Sequence, residues 1–272
     1  MNATTSLRHL HRPDHLLVLP NAWDAASAVL FEELGAEAIA TTSAGLAWAA
    51  GHSDGSVLPR RVLIEGVASI ARVTKIPLSV DCEGGYSDDP AQAADLIRSL
   101  MGSARVDGIN IEDGHEPPEV LERKIRAIRR VAEDAGTALF INARTDVYLL
   151  DLVAAEFALQ ETLERAARYE AAGCDGIFVP GLADPTAIQT IVRATDLPVN
   201  VLASPDLPAL DELRKVGVRR LSVGSSIALR SYNTARQLAT AILRNGSIAD
   251  LYASPSMSYG EMNDLMGSRE RE

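Results

Sequence analysis

The chain has 272 residues, 47% of them hydrophobic and 4% aromatic, with a formal net charge of -11. That acidity argues against nucleic acid as a default partner, because phosphate binding needs a basic surface, but one arginine in a cleft can still outweigh the global sign for a small anion. Two cysteines, Cys82 and Cys174, give neither a disulfide framework nor a zinc pattern. Met1 to Leu10 lacks a signal-peptide core and no stretch approaches the roughly 18 apolar residues of a membrane span, so a cytoplasmic location is expected.

The length is close to the roughly 250 residues of one (β/α)8 domain. No linker or charge block divides the sequence, so a single domain over 1–272 is expected, with 1–14 and 268–272 frayed. Eight short apolar runs read as strands: Leu16–Pro20, Ala38–Thr42, Pro77–Asp81, Gly108–Glu112, Ala138–Arg144, Gly176–Pro180, Pro198–Leu202 and Arg220–Gly224. Helical patterns lie between them at Ala22–Leu34, Arg60–Val73, Pro90–Met101, Pro118–Ala135, Ala154–Ala172, Pro185–Ala194, Asp206–Val216 and Ile227–Arg244. Strands of about five residues alternating with longer helices are the signature of βαβ units. Eight repeats suit a closed (β/α)8 TIM barrel better than an open doubly wound sheet, and no G-x-G-x-x-G follows the first strand. Gly35, Gly173 and Gly217 fit left-handed helix C-caps. A further segment, Tyr259 to Met266, reads as an extra C-terminal helix that could pack on a neighbouring subunit.

Three strand ends carry acids. Asp81 and Glu83 are two apart and are expected on one face. Glu112 ends the next strand. Three crowded carboxylates call for a cation, and their hard oxygens suit Mg2+, with Mn2+ as a substitute. Helix capping is the competing reading, and it suits Asp113 and Asp146 better. Arg144 ends the following strand. Its fork can hold a carboxylate bidentately, or it can form a structural bridge with Glu112 or Asp146.

Ser43-Ala44-Gly45 follows the second strand, and such small residues let backbone N–H groups approach a ligand oxyanion or simply form a tight loop. Asp54 sits in a turn-like loop. His115 follows Glu112-Asp113-Gly114 and is either a proton-transfer group or a solvated loop histidine. Asn21 and Trp23 follow the first strand, and Trp23 either walls a pocket or packs under the first helix. Strand alternation turns Cys82 away from Asp81 and Glu83, so it is expected to be a buried structural thiol. Cys174 is expected to be inert.

In order along most of the chain, Pro20-Asn21-Ala22-Trp23-Asp24, Ser43-Ala44-Gly45, Gly51 to Asp54, Asp81-Cys82-Glu83-Gly84-Gly85-Tyr86, Asn110-Ile111-Glu112-Asp113 and Asn142-Ala143-Arg144-Thr145-Asp146 resemble the isocitrate lyase/phosphoenolpyruvate mutase superfamily. The resemblance implies a (β/α)8 barrel, often with a swapped C-terminal helix in a dimer or dimer of dimers. It implies Mg2+ held largely through waters by Asp54, Asp81, Glu83 and Glu112. It also implies a 2-oxo acid or its enolate on that metal, its carboxylate meeting Arg144 and the backbone near Ser43, Ala44 and Gly45. The chain departs from the lyases in lacking their Lys-Lys/Arg-Cys-Gly-His lid. Glu112-Asp113 runs instead into Gly114-His115-Glu116-Pro117-Pro118, which also lacks the asparagine-bearing gating loop of the phosphonate mutases. The expected function is a Mg2+-dependent carbon–carbon lyase acting on a small 2-oxo or 2-hydroxy di- or tricarboxylate through a pyruvate-type enolate. The rivals are carbon–phosphorus chemistry on a phosphonopyruvate-type substrate and a non-catalytic 2-oxo acid binder.

Overall fold

The computed structural model describes residues 6–253 and 256–269. The chain opens with α1 (Leu7–Leu10), β1 (Leu17–Leu19), β2 (Asn21–Ala22), α2 (Ala25–Glu33), β3 (Ile39–Thr41), α3 (Ser43–Ala49) and α4 (Arg60–Val73). It continues through β4 (Leu78–Asp81), α5 (Pro90–Ser103), β5 (Gly108–Glu112), α6 (Pro118–Asp134), β6 (Phe140–Arg144) and α7 (Ala155–Ala172). Then come β7 (Gly176–Val179), α8 (Pro185–Ala194), β8 (Val199–Leu202), α9 (Leu210–Val216), β9 (Arg220–Ser222), α10 (Ser226–Asn245) and α11 (Tyr259–Gly267).

Pro20 decides how the sheet closes. A proline has no N–H to give a ladder, so it interrupts the first apolar run. The predicted strand Leu16–Pro20 therefore ends at Leu19 as β1, and a second short strand, β2, follows Pro20 where a helix was expected to open at Ala22: β1 pairs with β9, and β2 pairs with β3. All the pairings are parallel, in the order β1-β9-β8-β7-β6-β5-β4-β3-β2. The two short strands flanking Pro20 thus stand at the two ends of the sheet and nearly close a (β/α)8 barrel of TIM type.

Local chemistry sets the helix ends. Asp24 accepts the Ser27 N–H at 2.7 Å and Ser27 reciprocates, a capping box that starts α2 at Ala25 rather than at Ala22. The helix predicted from Asp206 begins at Leu210, because Leu207 precedes Pro208 and such a residue disfavours the α region. Gly173 and Gly217 close α7 and α9 with φ of 100° and 97°. The helix α3 stands where a loop was expected. Thr42 caps it by accepting the Gly45 N–H, and a Cβ at Gly45 would sit 2.6 Å from the Trp23 Cβ.

The two faces of the strands bury different things. Outward-facing Val80, Ile109, Ile111, Ile141, Ile177, Val179 and Val201 meet Leu63, Val67, Ile70, Ile97, Ile125 and Ile128 of the surrounding helices in one fully buried core. The barrel interior is separate. At its N-terminal end Leu7 and Leu10 of α1 pack with Leu17, Leu19, Ala38, Ala40 and Phe140. A Cβ at Gly108 would lie 2.6 Å from Leu7 Cδ2, so the missing side chain makes room for this plug. The fraying expected for 1–14 is thus corrected: Leu7 is 1% and Leu10 4% exposed, because α1 plugs the barrel end. Residues 1–5 and 270–272, also expected to fray, lie outside the described residues. Arg269 pairs with Glu32 at 2.8 Å on a half-buried surface, rather than fraying. Among the described residues no helix is long and apolar enough to cross a membrane.

Candidate active site

The C-terminal strand ends enclose a cavity of about 130 Å³. The first strands supply Asn21 and Asp81 to it, the middle ones Asn110, Arg144 and Phe178, and the last ones Leu202 and Ser222, with Thr42, Ser43 and Ala44 from the cap and first turn of α3 and Asp54, Gly224 and Ser225 from the loops. A larger open groove along α10, lined by Leu229, Tyr232 and Arg236 among others, contains no carboxylate.

Asp81 lies at the end of β4. Its Oδ2 accepts the Ser43 N–H at 3.3 Å, while Oδ1 is buried with no partner among the described residues. An unpaired buried carboxylate oxygen is costly and marks a place for a cation or water.

The three predicted metal ligands act on one another's charge, but they do not form a direct ligand cluster among the described residues. Glu83 lies beyond the strand, in a turn with φ +48°, so the alternation that was to put it beside Asp81 has already ended. Its Oε1 accepts the Tyr86 hydroxyl at 2.8 Å and its Oε2 accepts the Ser56 N–H and hydroxyl, so both oxygens are engaged. Ser56, Glu83 and Tyr86 all have positive φ, a local concentration of backbone strain. Burial pushes the Glu83 carboxyl up, opposed by the Tyr86 hydrogen bond. Glu112 does reach the mouth, but Arg144 Nη1 holds its Oε2 at 2.8 Å. Burial drives Glu112 up to about 8 against the pull of Arg144, with Asp81 adding to the rise. Among the described residues no group of three or more His, Cys, Asp or Glu side chains is placed to hold a metal ion. The donor set instead fits a divalent ion that keeps several of its waters, facing Asp81 Oδ1 and Asp54.

Of the two readings made for Arg144 from its sequence, the structural bridge is present. Its Nε and Nη2 donate to the two Asp146 oxygens at 2.6 and 3.1 Å, and Nη1 forms an ion pair with Glu112 Oε2 at 2.8 Å. A guanidinium has five N–H groups, so these contacts do not use all the donors of a side chain that lines the cavity. Burial works against its charge, yet the Glu112, Asp146 and Asp81 carboxylates outweigh that and raise its pKa. Its guanidinium carbon also lies 5.9 Å from the Phe178 ring centroid.

Asp113 and Asp146 are not helix caps. Asp113 accepts the Asp146 N–H, Arg165 Nη1 and the Tyr169 hydroxyl at 2.9, 2.8 and 2.7 Å, and this buried network holds Asp146 against Arg144. Ser43 and Ala44 line the cavity as the first turn of α3 rather than as a loop, while the Gly45 N–H is spent on Thr42. Asn21 lines the cavity, but its Oδ1 accepts the Val223 and Gly224 N–H groups, both at 2.9 Å, and so ties the closing strands. Trp23 is not in the cavity wall; it packs edge-on to Phe31. His115 is exposed on its loop and does not line the cavity. Cys82 is fully buried, with its thiol raised by burial and by its acidic neighbours, and Cys174 is raised by burial too.

The sequence reading missed Asn110, Phe178, Leu202 and Ser222. Asn110 and Phe178 were recoverable: each lies two residues from a position already assigned, or in register with one, as Asn110 precedes Glu112 by two and Phe178 pairs with Arg144.

A (β/α)8 barrel with its acids and arginine gathered at the C-terminal mouth defines a class of barrel whose chemistry sits on the strand ends. Within that class the chain belongs to the phosphoenolpyruvate phosphomutase family, whose model matches residues 7–243, and with it to the isocitrate lyase/phosphoenolpyruvate mutase superfamily. It is 38% identical over 221 residues to the uncharacterized protein Rv1998c of Mycobacterium tuberculosis (strain H37Rv), covering 81% of this chain and 82% of that one. The crystal structure of a "putative phosphonomutase" from Burkholderia cenocepacia J2315 superposes with a TM-score of 0.81 at 39% identity, covering 86% of this chain and 97% of that one. An oxaloacetate decarboxylase of Paraburkholderia xenovorans (strain LB400) is 27% identical over 263 residues, covering 89% of this chain and 83% of that protein.

Proposed function

We propose that this chain is a Mg2+-dependent carbon–carbon lyase that cleaves a small 2-oxo or 2-hydroxy dicarboxylate through a pyruvate-type enolate. The observation that carries the reading is the pairing, in one cavity of about 130 Å³, of the unpartnered Asp81 Oδ1 with an Arg144 that has N–H groups to spare beyond its Asp146 contacts.

The roles follow from the geometry. Asp146 and the network behind it hold the Arg144 fork rigid, so little entropy is lost when it grips a substrate carboxylate. Ser43 and Ala44 line the cavity at the start of α3; the Ser43 N–H is taken by Asp81, which leaves the Ala44 N–H, without a helical acceptor, to meet an oxyanion. Asp81 and Asp54 would hold the hydrated cation. When bound, that cation supplies positive charge to the oxygen on which the enolate's charge develops. Phe178 and Leu202 exclude water from one wall. With oxaloacetate the step balances simply: the bond to the departing carboxylate breaks, carbon dioxide leaves, and the electron pair stays as the pyruvate enolate, which then takes a proton. The oxaloacetate decarboxylase relative supports this substrate class.

Carbon–phosphorus chemistry is the second reading, favoured by the phosphonomutase-named relative. Arg144 is the only cationic side chain lining the cavity among the described residues, which suits carboxylates better than a phosphonate dianion plus a carboxylate. The test is a screen of 2-oxo and 2-hydroxy dicarboxylates and phosphonopyruvate, with pyruvate followed through a coupled dehydrogenase. A dicarboxylate should release pyruvate, EDTA should stop it, and Mg2+ or Mn2+ should restore it. Turnover of phosphonopyruvate alone, or full activity after metal stripping, would overturn the reading.

A further inference from the structure

Arg220 opens β9 and is 0% exposed inside the barrel, beneath the cavity. Its Nη2 donates to Ser79 Oγ at 3.3 Å and to Asn110 Oδ1 at 3.1 Å. Its Nε and Nη1 have no hydrogen-bond partner among the described residues, and the Asp81 carboxylate acts on its charge without a direct ion pair. A buried guanidinium in this state is expensive, so a fold that retains one obtains something an apolar residue cannot supply.

What it supplies is a direction. A guanidinium donates and never accepts, so the Asn110 atom facing it is the carbonyl oxygen. Asn142 Nδ2 adds a second donor to the same oxygen at 2.9 Å. The Asn110 amide therefore cannot flip. Its Nδ2 has no acceptor among the described residues and is not a closed-off atom, while Asn110 itself lines the cavity beside Asp81 and Arg144. We propose that Arg220 is a positioning residue that fixes the Asn110 amide so that its Nδ2 donates to a carboxylate or enolate oxygen of the substrate, making Asn110 a specificity-determining residue. The proposal rests on the function proposed above. A site built around such a donor rejects analogues that lack the matching oxygen.

Oxalate, a planar mimic of the pyruvate enolate, is the probe. Its affinity is measured by calorimetry with Mg2+ present, alongside melting temperature, for the parent and three variants. Asn110→Asp should melt at or above the parent, since the carboxylate gives Arg220 a charge partner, yet bind oxalate at least tenfold more weakly. Arg220→Met should also lose about tenfold, and Arg220→Lys, which remains an obligate donor, should recover most of that. If Arg220→Met does not fold, Asn110→Asp decides, because it leaves Arg220 in place. A folded Asn110→Asp protein with parental oxalate affinity overturns the proposal and leaves the lyase reading standing. A parent that binds no oxalate removes the lyase reading and the role given to Asn110 in it. The pairing of Arg220 with Asn110 is then judged by melting alone, and is overturned if Asn110→Asp melts below the parent.

Discussion

The two ends of the barrel are built from the same strands by opposite chemistry. Along β6 the inward positions are Phe140, Asn142 and Arg144, and along β5 they are Gly108, Asn110 and Glu112. At the N-terminal end Phe140 stacks on His11 with ring centroids 4.3 Å apart, and Gly108 makes room for Leu7. Two residues on, Asn142 and Asn110 form the polar layer around Arg220. Two more, and Arg144 and Glu112 form the ion pair at the mouth. One i, i+2 series thus passes from stability through orientation to chemistry. Substitutions at the two ends should therefore separate stability from ligand binding.

The largest such effect is expected at the plug. Phe140→Ala removes a fully buried ring and should cost about 3–5 kcal/mol of stability in urea unfolding, while the folded fraction keeps its oxalate affinity. Equal losses of stability and affinity would show that the ends are not separable.

Arg144→Lys should do the reverse. It keeps the charge but loses the fork held by Asp146. A charge-assisted hydrogen bond is worth about 1.5–3 kcal/mol, so ligand affinity should fall by about tenfold or more. Unchanged affinity with a lowered melting temperature would assign Arg144 to the scaffold alone.

The plug should also be sensitive to acid. Burial, then Arg220, drives His11 from 6.5 to about 3 in the folded chain, despite its Nδ1 bond to the Leu7 carbonyl. Above pH 6.5 both states are neutral and nothing is lost. Below it the unfolded chain takes up a proton that the folded chain refuses, so stability falls as pH drops toward 3, by about 1.4 kcal/mol per pH unit from this group. His11→Gln should flatten the acid limb of a stability–pH series between pH 7 and 5, and an unchanged slope would contradict this.

The smallest effect is expected for the thiols. The cysteine-free variant Cys82→Ala with Cys174→Ala should keep turnover within several-fold of the parent, as both thiols are buried and raised away from reactivity. A folded, ligand-binding variant that loses orders of magnitude would require a thiol in the mechanism.

The barrel was legible because eight apolar runs alternate with helices, and punctuation such as Gly173, Gly217 and the prolines at Pro90, Pro118 and Pro185 falls at the helix ends. The break at Pro20 was not anticipated, although its missing N–H foretells it. The plug was missed because a short N-terminal segment reads as frayed until something is known to need covering. Helix α3 escaped because seven small and apolar residues carry no clear period. In the site, Asp81 and Arg144 were found because they end strands. Glu83 was misplaced because alternation was carried past the strand end into a left-handed turn. Asn110 and Arg220 were missed because a polar residue inside an apolar run reads as a defect unless the barrel interior is known to be polar there.

The most direct test of the lyase reading is pyruvate release from oxaloacetate and related dicarboxylates by the parent and by Asp81→Asn, with Mg2+ present and the spontaneous rate subtracted. Asp81→Asn preserves shape but removes the charge behind an unpartnered buried carboxylate oxygen at the mouth. The expected result is metal-dependent release by the parent and a loss of about a hundredfold or more in the variant, with melting temperatures alike. A parent that releases no pyruvate from any of these acids, or a variant that matches it, would contradict the reading.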